Sequence, residues 1–140
     1  MTNPDIQKVE LAKAYRLLNH GPTVLVSAQD DDDIDVMAAA WACALEFSPA
    51  KVTVVLDKST KTRKIIEKNG YFALQVPCLA QLNMTYQLGS ISQFDEPNKL
   101  EMCGTQFFYP DDSGVPLVEG CIAWLICKVI PEPQNQQAHD

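Results

Sequence analysis

The sequence predicts a mainly β or α+β fold, a small barrel or sandwich, and not a doubly wound parallel sheet. Two observations carry this. Short β-branched or apolar runs recur between turn signals. Only three short stretches show helical spacing. No G-x-G-x-x-G or G-x-x-x-x-G-K-[ST] is present, so a resident dinucleotide or nucleoside triphosphate has no motif.

The elements follow in order. Asn3-Pro4-Asp5 reads as a helix start, with an N-cap, a proline at the first helical position and an early acid. Ile6, Val9, Ala14, Leu17 and Leu18 continue it until Gly21-Pro22. Thr23-Val24-Leu25-Val26-Ser27 predicts a strand, residues 30–33 an acidic turn, and residues 35–40 the returning strand. Phe47-Ser48-Pro49 reads as a loop, and residues 51–56 as a strong strand. Residues 59–69 predict a short helix with Ile65 and Ile66 inward and Gly70 as its stop. Residues 72–76 form another strand, closed by Pro77. Residues 80–88 read as a helix stopped by Gly89. Residues 90–102 give no clear pattern. Short strands are predicted at 105–109 and 115–118, and a long apolar one at 121–130. Residues 1–133 are thus expected to form one domain, with the polar stretch 134–140 expected as a flexible tail.

Composition narrows the function classes. A length of 140 residues suits one domain, and 46% hydrophobic with 21% charged residues is the balance of a globular chain. The net charge of −7 repels phosphate backbones, which disfavours nucleic-acid binding. No apolar run approaches the roughly 20 residues of a bilayer span, and Met1-Thr2-Asn3-Pro4-Asp5 lacks a signal pattern, so cytoplasmic residence is expected. Five cysteines occur without a C-x-x-C pair, which predicts packed free thiols and no metal site. The acidic turn lacks the glycine and distal glutamate of a calcium loop. His20 and His139, the only histidines, fall at a helix end and in the tail, which does not suggest a shared metal or triad site.

Two segments carry candidate chemistry. Asp57-Lys58-Ser59-Thr60-Lys61-Thr62-Arg63 lies between a strand and a helix. A helix start has unpaired amides and partial positive charge, so an anion is stabilised there. The same turn adds three hydroxyls and three cations, and Arg63 can grip a phosphate with two parallel bonds. The competing reading is a capped helix with solvated lysines. In the second segment, Met37-Ala38-Ala39-Ala40-Trp41, small side chains let a flat ligand reach the backbone; the competing reading is tight strand–helix packing.

These segments, taken with Gly21-Pro22-Thr23-Val24-Leu25-Val26-Ser27, Phe72-Ala73-Leu74-Gln75-Val76-Pro77, Leu88-Gly89-Ser90 and Pro116-Leu117-Val118-Glu119-Gly120-Cys121, resemble in order and spacing the flavin reductase-like, FMN-binding split-barrel family, which includes flavoredoxin. The resemblance covers roughly residues 15–133. It implies a split β-barrel and a homodimer with FMN near the subunit interface. Met37, Ala38, Ala39, Ala40 and Trp41 would line the ring, Asp57, Ser59, Thr60, Lys61, Thr62 and Arg63 would hold the phosphate, and Gly89 and Ser90 would complete the cofactor site. It further implies an NAD(P)H-dependent flavin reductase with NAD(P)H as transient donor and an unidentified acceptor, the protein placing the flavin and tuning its potential. A flavoredoxin-like FMN carrier reduced by a protein partner, and a barrel without flavin, are the alternatives. No catalytic residue is singled out. Two departures stand: Ala38 occupies a position where many relatives carry Thr, and relatives continue beyond the position of Asp140 with another strand. A truncated form or a barrel that closes differently is therefore expected.

Overall fold

The computed structural model describes residues 5–18, 23–110 and 113–131. Its centre is an antiparallel sheet in the order β2-β1-β5-β8, formed by β1 (Val24–Asp30), β2 (Asp33–Ala39), β5 (Tyr71–Val76) and β8 (Ala123–Lys128). Two short antiparallel pairs flank it: β3 (Ala42–Phe47) with β4 (Ala50–Val54), and β6 (Phe107–Phe108) with β7 (Leu117–Val118). Three α-helices, α1 (Lys61–Asn69), α2 (Leu82–Ser90) and α3 (Lys99–Met102), and two 3-10 helices, Leu11–Leu18 and Leu79–Gln81, complete the described fold.

The central strands are apolar on both faces because both faces are covered. On one side Val24, Val26, Ala28, Phe72 and Leu74 pack with Ile65 and Ile66 of α1 and Leu125. On the other, Leu25 and Val36 pack with Leu88 of α2, Val118 and Cys121. Full burial of each such side chain contributes about 1.5–3 kcal/mol. Two polar residues in this core are satisfied by one another. The Gln75 amide donates to the Ser27 hydroxyl at 2.8 Å, Ser27 donates to the Pro116 carbonyl, and the Val118 amide donates to Gln75.

Turn chemistry sets the connections. The β1–β2 hairpin turns on Asp31 and Asp32, with Asp31 at φ 51°, a left-handed conformation that aspartate tolerates. The acids around it are paired: Asp30 with Lys68 at 2.5 Å and Asp33 with Lys61 at 2.7 Å. Helix α1 ends where Gly70, at φ 84°, donates its amide to the Ile66 carbonyl.

Several expectations need correction. Residues 6–10 are not helical, and Leu11–Leu18 is a 3-10 helix; Asn3, Pro4 and Gly21-Pro22 lie outside the described residues, as do the histidines and the tail. Only Ala14, Leu17 and Leu18 of this stretch reach the core, while Ile6, Val9 and Leu11 stay exposed. A helix with so little apolar contact lacks the packing that stabilises one. The loop expected at Phe47-Ser48-Pro49 shrinks to a turn, because Ala42–Phe47 is a strand. Ala-Cys-Ala-Leu-Glu-Phe has no β-branched residue, so its pairing with β4 decides its structure. Helix α2 passes through Gly89 and ends at Ser90, because the glycine serves a close approach to a neighbouring strand. Residues 99–102 form α3, within the stretch that gave no pattern.

Candidate functional site

The Met37–Trp41 segment and part of the second segment, Asp57, Lys58 and Arg63, line one cleft of about 520 Å³. That volume lies within the range of small-molecule sites, roughly 300–1,000 Å³. One wall is the end of β2 and its following turn, Met37 to Trp41. The other is the chain between β4 and α1, Val55 to Lys58, with Arg63 reaching in from the helix. The walls are tied where the Val55 amide donates to the Trp41 carbonyl at 2.9 Å.

The first wall is thin by necessity. Ala38 lies against α2, and a Cβ on Gly89 would come within 3.0 Å of the Ala38 Cβ. Both residues must be small for helix and strand to approach this closely. Trp41 caps the wall and is 74% exposed. A large indole left in water at the mouth of a cleft is free to cover a flat ligand.

The second wall is polar and partly prearranged. Thr60 takes the N-cap position of α1 in extended backbone but makes no side-chain cap. Its hydroxyl instead donates to the Asp57 carbonyl at 2.8 Å. Asp57 does not cap the helix either. It accepts the Ser59 amide at 2.7 Å and the Ser59 hydroxyl at 2.5 Å. Those bonds, aided weakly by Arg63 and Lys58, hold the Asp57 carboxyl below its ordinary range. The helix start therefore carries its partial positive charge without a side-chain cap. Arg63 donates through Nη1 to the Leu56 carbonyl at 3.1 Å and through Nε to Glu67 at 2.8 Å. These two bonds fix the guanidinium at the cleft and leave part of its five-donor fork for a ligand.

Other predicted site residues are placed differently. The Thr62 side chain is fully buried, and its hydroxyl donates to Asp35 at 2.8 Å, away from the cleft. Lys61 reaches Asp33. Gly89 and Ser90 lie within α2, with the Ser90 hydroxyl donating to the Tyr86 carbonyl at 2.7 Å. None of these four, nor Ser59 or Thr60, lines the cleft surface itself. Val55 and Leu56 do, and pattern reading assigned them only to a strand.

Sequence reading also missed Asp35 and Lys99. Asp35 is 2% exposed and accepts from the Val36 amide at 2.9 Å, Thr62 at 2.8 Å and Lys99 at 3.2 Å. Its side-chain partners lie 27 and 64 positions away, so no local pattern marks them. Cys121 is a packed thiol, pushed by burial up to about 11 and so held neutral at ordinary pH, which removes it as a nucleophile. Among the described residues no cluster of His, Cys, Asp and Glu could hold a metal.

The family model of the flavin reductase like domain matches residues 16–140. The chain belongs to the flavin reductase-like family. A crystal structure of an FMN-binding domain of a flavin reductases-like enzyme from Shewanella baltica OS155 shares 60% identity with this family member at a TM-score of 0.90, covering 94% of this chain and 69% of that one. The uncharacterized protein YddH of Escherichia coli K12 is 43% identical over 135 residues, 94% of this chain and 71% of YddH. Flavoredoxin of Desulfovibrio vulgaris (Miyazaki F) shares the fold at a TM-score of 0.72 and 23% identity, covering 94% of this chain and 67% of that one. The sheet, the flanking pairs and the few helices are those of the family's split barrel, as the resemblance implied.

Proposed function

We propose that this chain binds FMN in the described cleft and acts, as a homodimer, as an NAD(P)H-dependent flavin reductase. The observation that carries this is the convergence of an uncapped helix start and a half-engaged arginine on one side with a small-residue wall on the other. A phosphate fits the first and a flat ring system fits the second. The Shewanella baltica structure, at 60% identity, is of an FMN-binding domain, which supports the same cofactor here.

In this arrangement Met37 to Trp41 would hold the isoalloxazine through backbone groups, with the Trp41 indole over its edge. Arg63 and the first amides of α1 would hold the phosphate. FMN, when bound, supplies the transfer of hydride or single electrons between donor and acceptor. The chain supplies binding, orientation and exclusion of water. Its only histidines lie outside the described residues, and no cysteine, serine or threonine lines the cleft, so no residue is assigned a covalent role.

The homodimer is supported by exposed apolar side chains along the β3–β4 pair and the residue that follows it. Leu45, Phe47 and Val55 are each more than half exposed on or next to the β3–β4 pair. Exposed apolar side chains of this kind suit a partner subunit. Cytoplasmic location is supported by five thiols that the structure leaves unpaired. No described helix is long and apolar enough to cross a membrane.

The test is the visible spectrum of the purified protein followed by NADH and NADPH oxidation with FMN supplied. An oxidised-flavin spectrum with turnover of either nucleotide supports the reductase. Flavin without turnover favours an electron carrier reduced by a protein. No flavin retained and none bound on titration defeats FMN binding.

A further inference from the structure

The two walls of the cleft belong to different elements, and one buried network joins them. Asp35 lies on β2, two residues before the ring wall begins at Met37. Thr62 is the second residue of α1, in the turn proposed above to hold the phosphate. Lys99 lies on α3, from the part of the chain with no other role in the cleft. One Asp35 oxygen accepts the Thr62 hydroxyl at 2.8 Å, and the other accepts Lys99 at 3.2 Å and the Val36 amide at 2.9 Å. Thr62 is fully buried, and Asp35 and Lys99 are each 2% exposed. An ion pair removed from water this completely is not explained by stability alone, since an apolar replacement of similar volume often does as well. What it supplies is direction: a charged acceptor and a fixed cation permit one placement of the helix start relative to the strand.

We propose that the Asp35–Thr62–Lys99 network is the positioning device of the cleft, fixing the distance between the ring wall and the phosphate end of α1. This rests on the FMN-binding role proposed above. Thr62 then acts through Asp35 and not on the ligand, and Lys99 holds the Asp35 carboxylate from behind. A ligand gripped at both ends depends on the spacing between the ends. A ligand gripped only by its ring does not.

The experiment compares FMN with riboflavin, which has the ring and lacks the phosphate, by flavin fluorescence titration, with thermal melts of the flavin-free protein alongside. The wild type should bind FMN well above riboflavin. Thr62→Val, which keeps the shape and removes the hydroxyl, should weaken FMN binding about tenfold or more and leave riboflavin nearly unchanged, the scale of one lost buried hydrogen bond to a charged group. Thr62→Ser should restore FMN binding to within about threefold. Lys99→Met should reproduce the Thr62→Val pattern, and the double variant should lose less than the two losses multiplied, because both act on one carboxylate. A lowered melting temperature with unchanged FMN affinity in Thr62→Val would mean a merely structural pair and overturn the proposal. So would an FMN complex in which the Thr62 hydroxyl leaves Asp35 for the phosphate. If Lys99→Met does not fold, the Thr62 pair still decides. Wild-type protein that binds neither flavin, or both equally, would instead defeat the FMN-binding role itself.

Discussion

The two walls of the cleft are built from opposite materials. The Met37–Trp41 wall offers backbone and small side chains, shaped by the contact of Ala38 with Gly89. The Val55–Arg63 wall offers charge and amide dipoles, yet most of its charged and hydroxyl side chains are engaged within the protein. The difference teaches that composition overstates how many groups meet a ligand. Of the three hydroxyls and three cations in that turn, Thr62 serves Asp35, Thr60 and Ser59 close the turn on Asp57, and Lys61 serves Asp33. Of the three cations, Lys58 and Arg63 line the cleft, beside Asp57, and Arg63 is the one that reaches it from α1.

The sharpest way to break this contrast is Arg63→Ala. It should weaken FMN binding by about 2 kcal/mol, roughly 30-fold, through loss of a charge-assisted pair. Riboflavin affinity should hardly change, and calorimetric titration with both flavins reads the difference. Equal losses for both ligands would show that Arg63 shapes the cleft and does not grip the phosphate.

The opposite wall is probed by Gly89→Ala. The added methyl meets the Ala38 Cβ at 3.0 Å, so strand or helix must shift. Loss of about 1 kcal/mol, shared by FMN and riboflavin, is expected, the lower end of overpacking costs. A loss confined to FMN would place Ala38 on the phosphate side.

Alkaline pH separates binding from folding. Burial pushes Cys121 and Cys127 up to about 11 from an ordinary 9.0. Both are raised in the folded state, so their contribution is complete below about pH 9 and is lost as pH rises toward 11. Denaturant midpoints should fall across that window, and less so in a Cys127→Ala variant. Midpoints flat from pH 8 to 11 would show that the thiols are not shielded.

The smallest effect is expected of Lys61→Ala. Its ammonium is engaged with the exposed Asp33, so FMN affinity should change less than about threefold, the scale of a surface ion pair. A tenfold loss would restore Lys61 to the phosphate site.

Much of this architecture was readable in advance. β1, β4 and β5 are β-branched or strongly apolar, and α1 runs from a threonine-rich start to Gly70, so local chemistry and tertiary contacts agree. β3 was not readable, because its alanines, cysteine and glutamate take their conformation from β4. The N-terminal stretch carried a helical pattern but lacked a surface to pack on along Ile6, Val9 and Leu11. Of the residues singled out in the sequence, Met37 to Trp41, Asp57 and Arg63 line the cleft, whereas Val55 and Leu56 read only as strand. The buried Asp35 network was not legible, because its members come from three elements and each has an ordinary local role.

The most direct measurement is the position of the flavin in crystals of the protein grown with FMN. We expect its ring against Met37 to Trp41, with its phosphate at the start of α1 beside Arg63. Flavin density seated elsewhere, with Arg63 still bonded only to Leu56 and Glu67, would contradict the assignment of this cleft as the cofactor site.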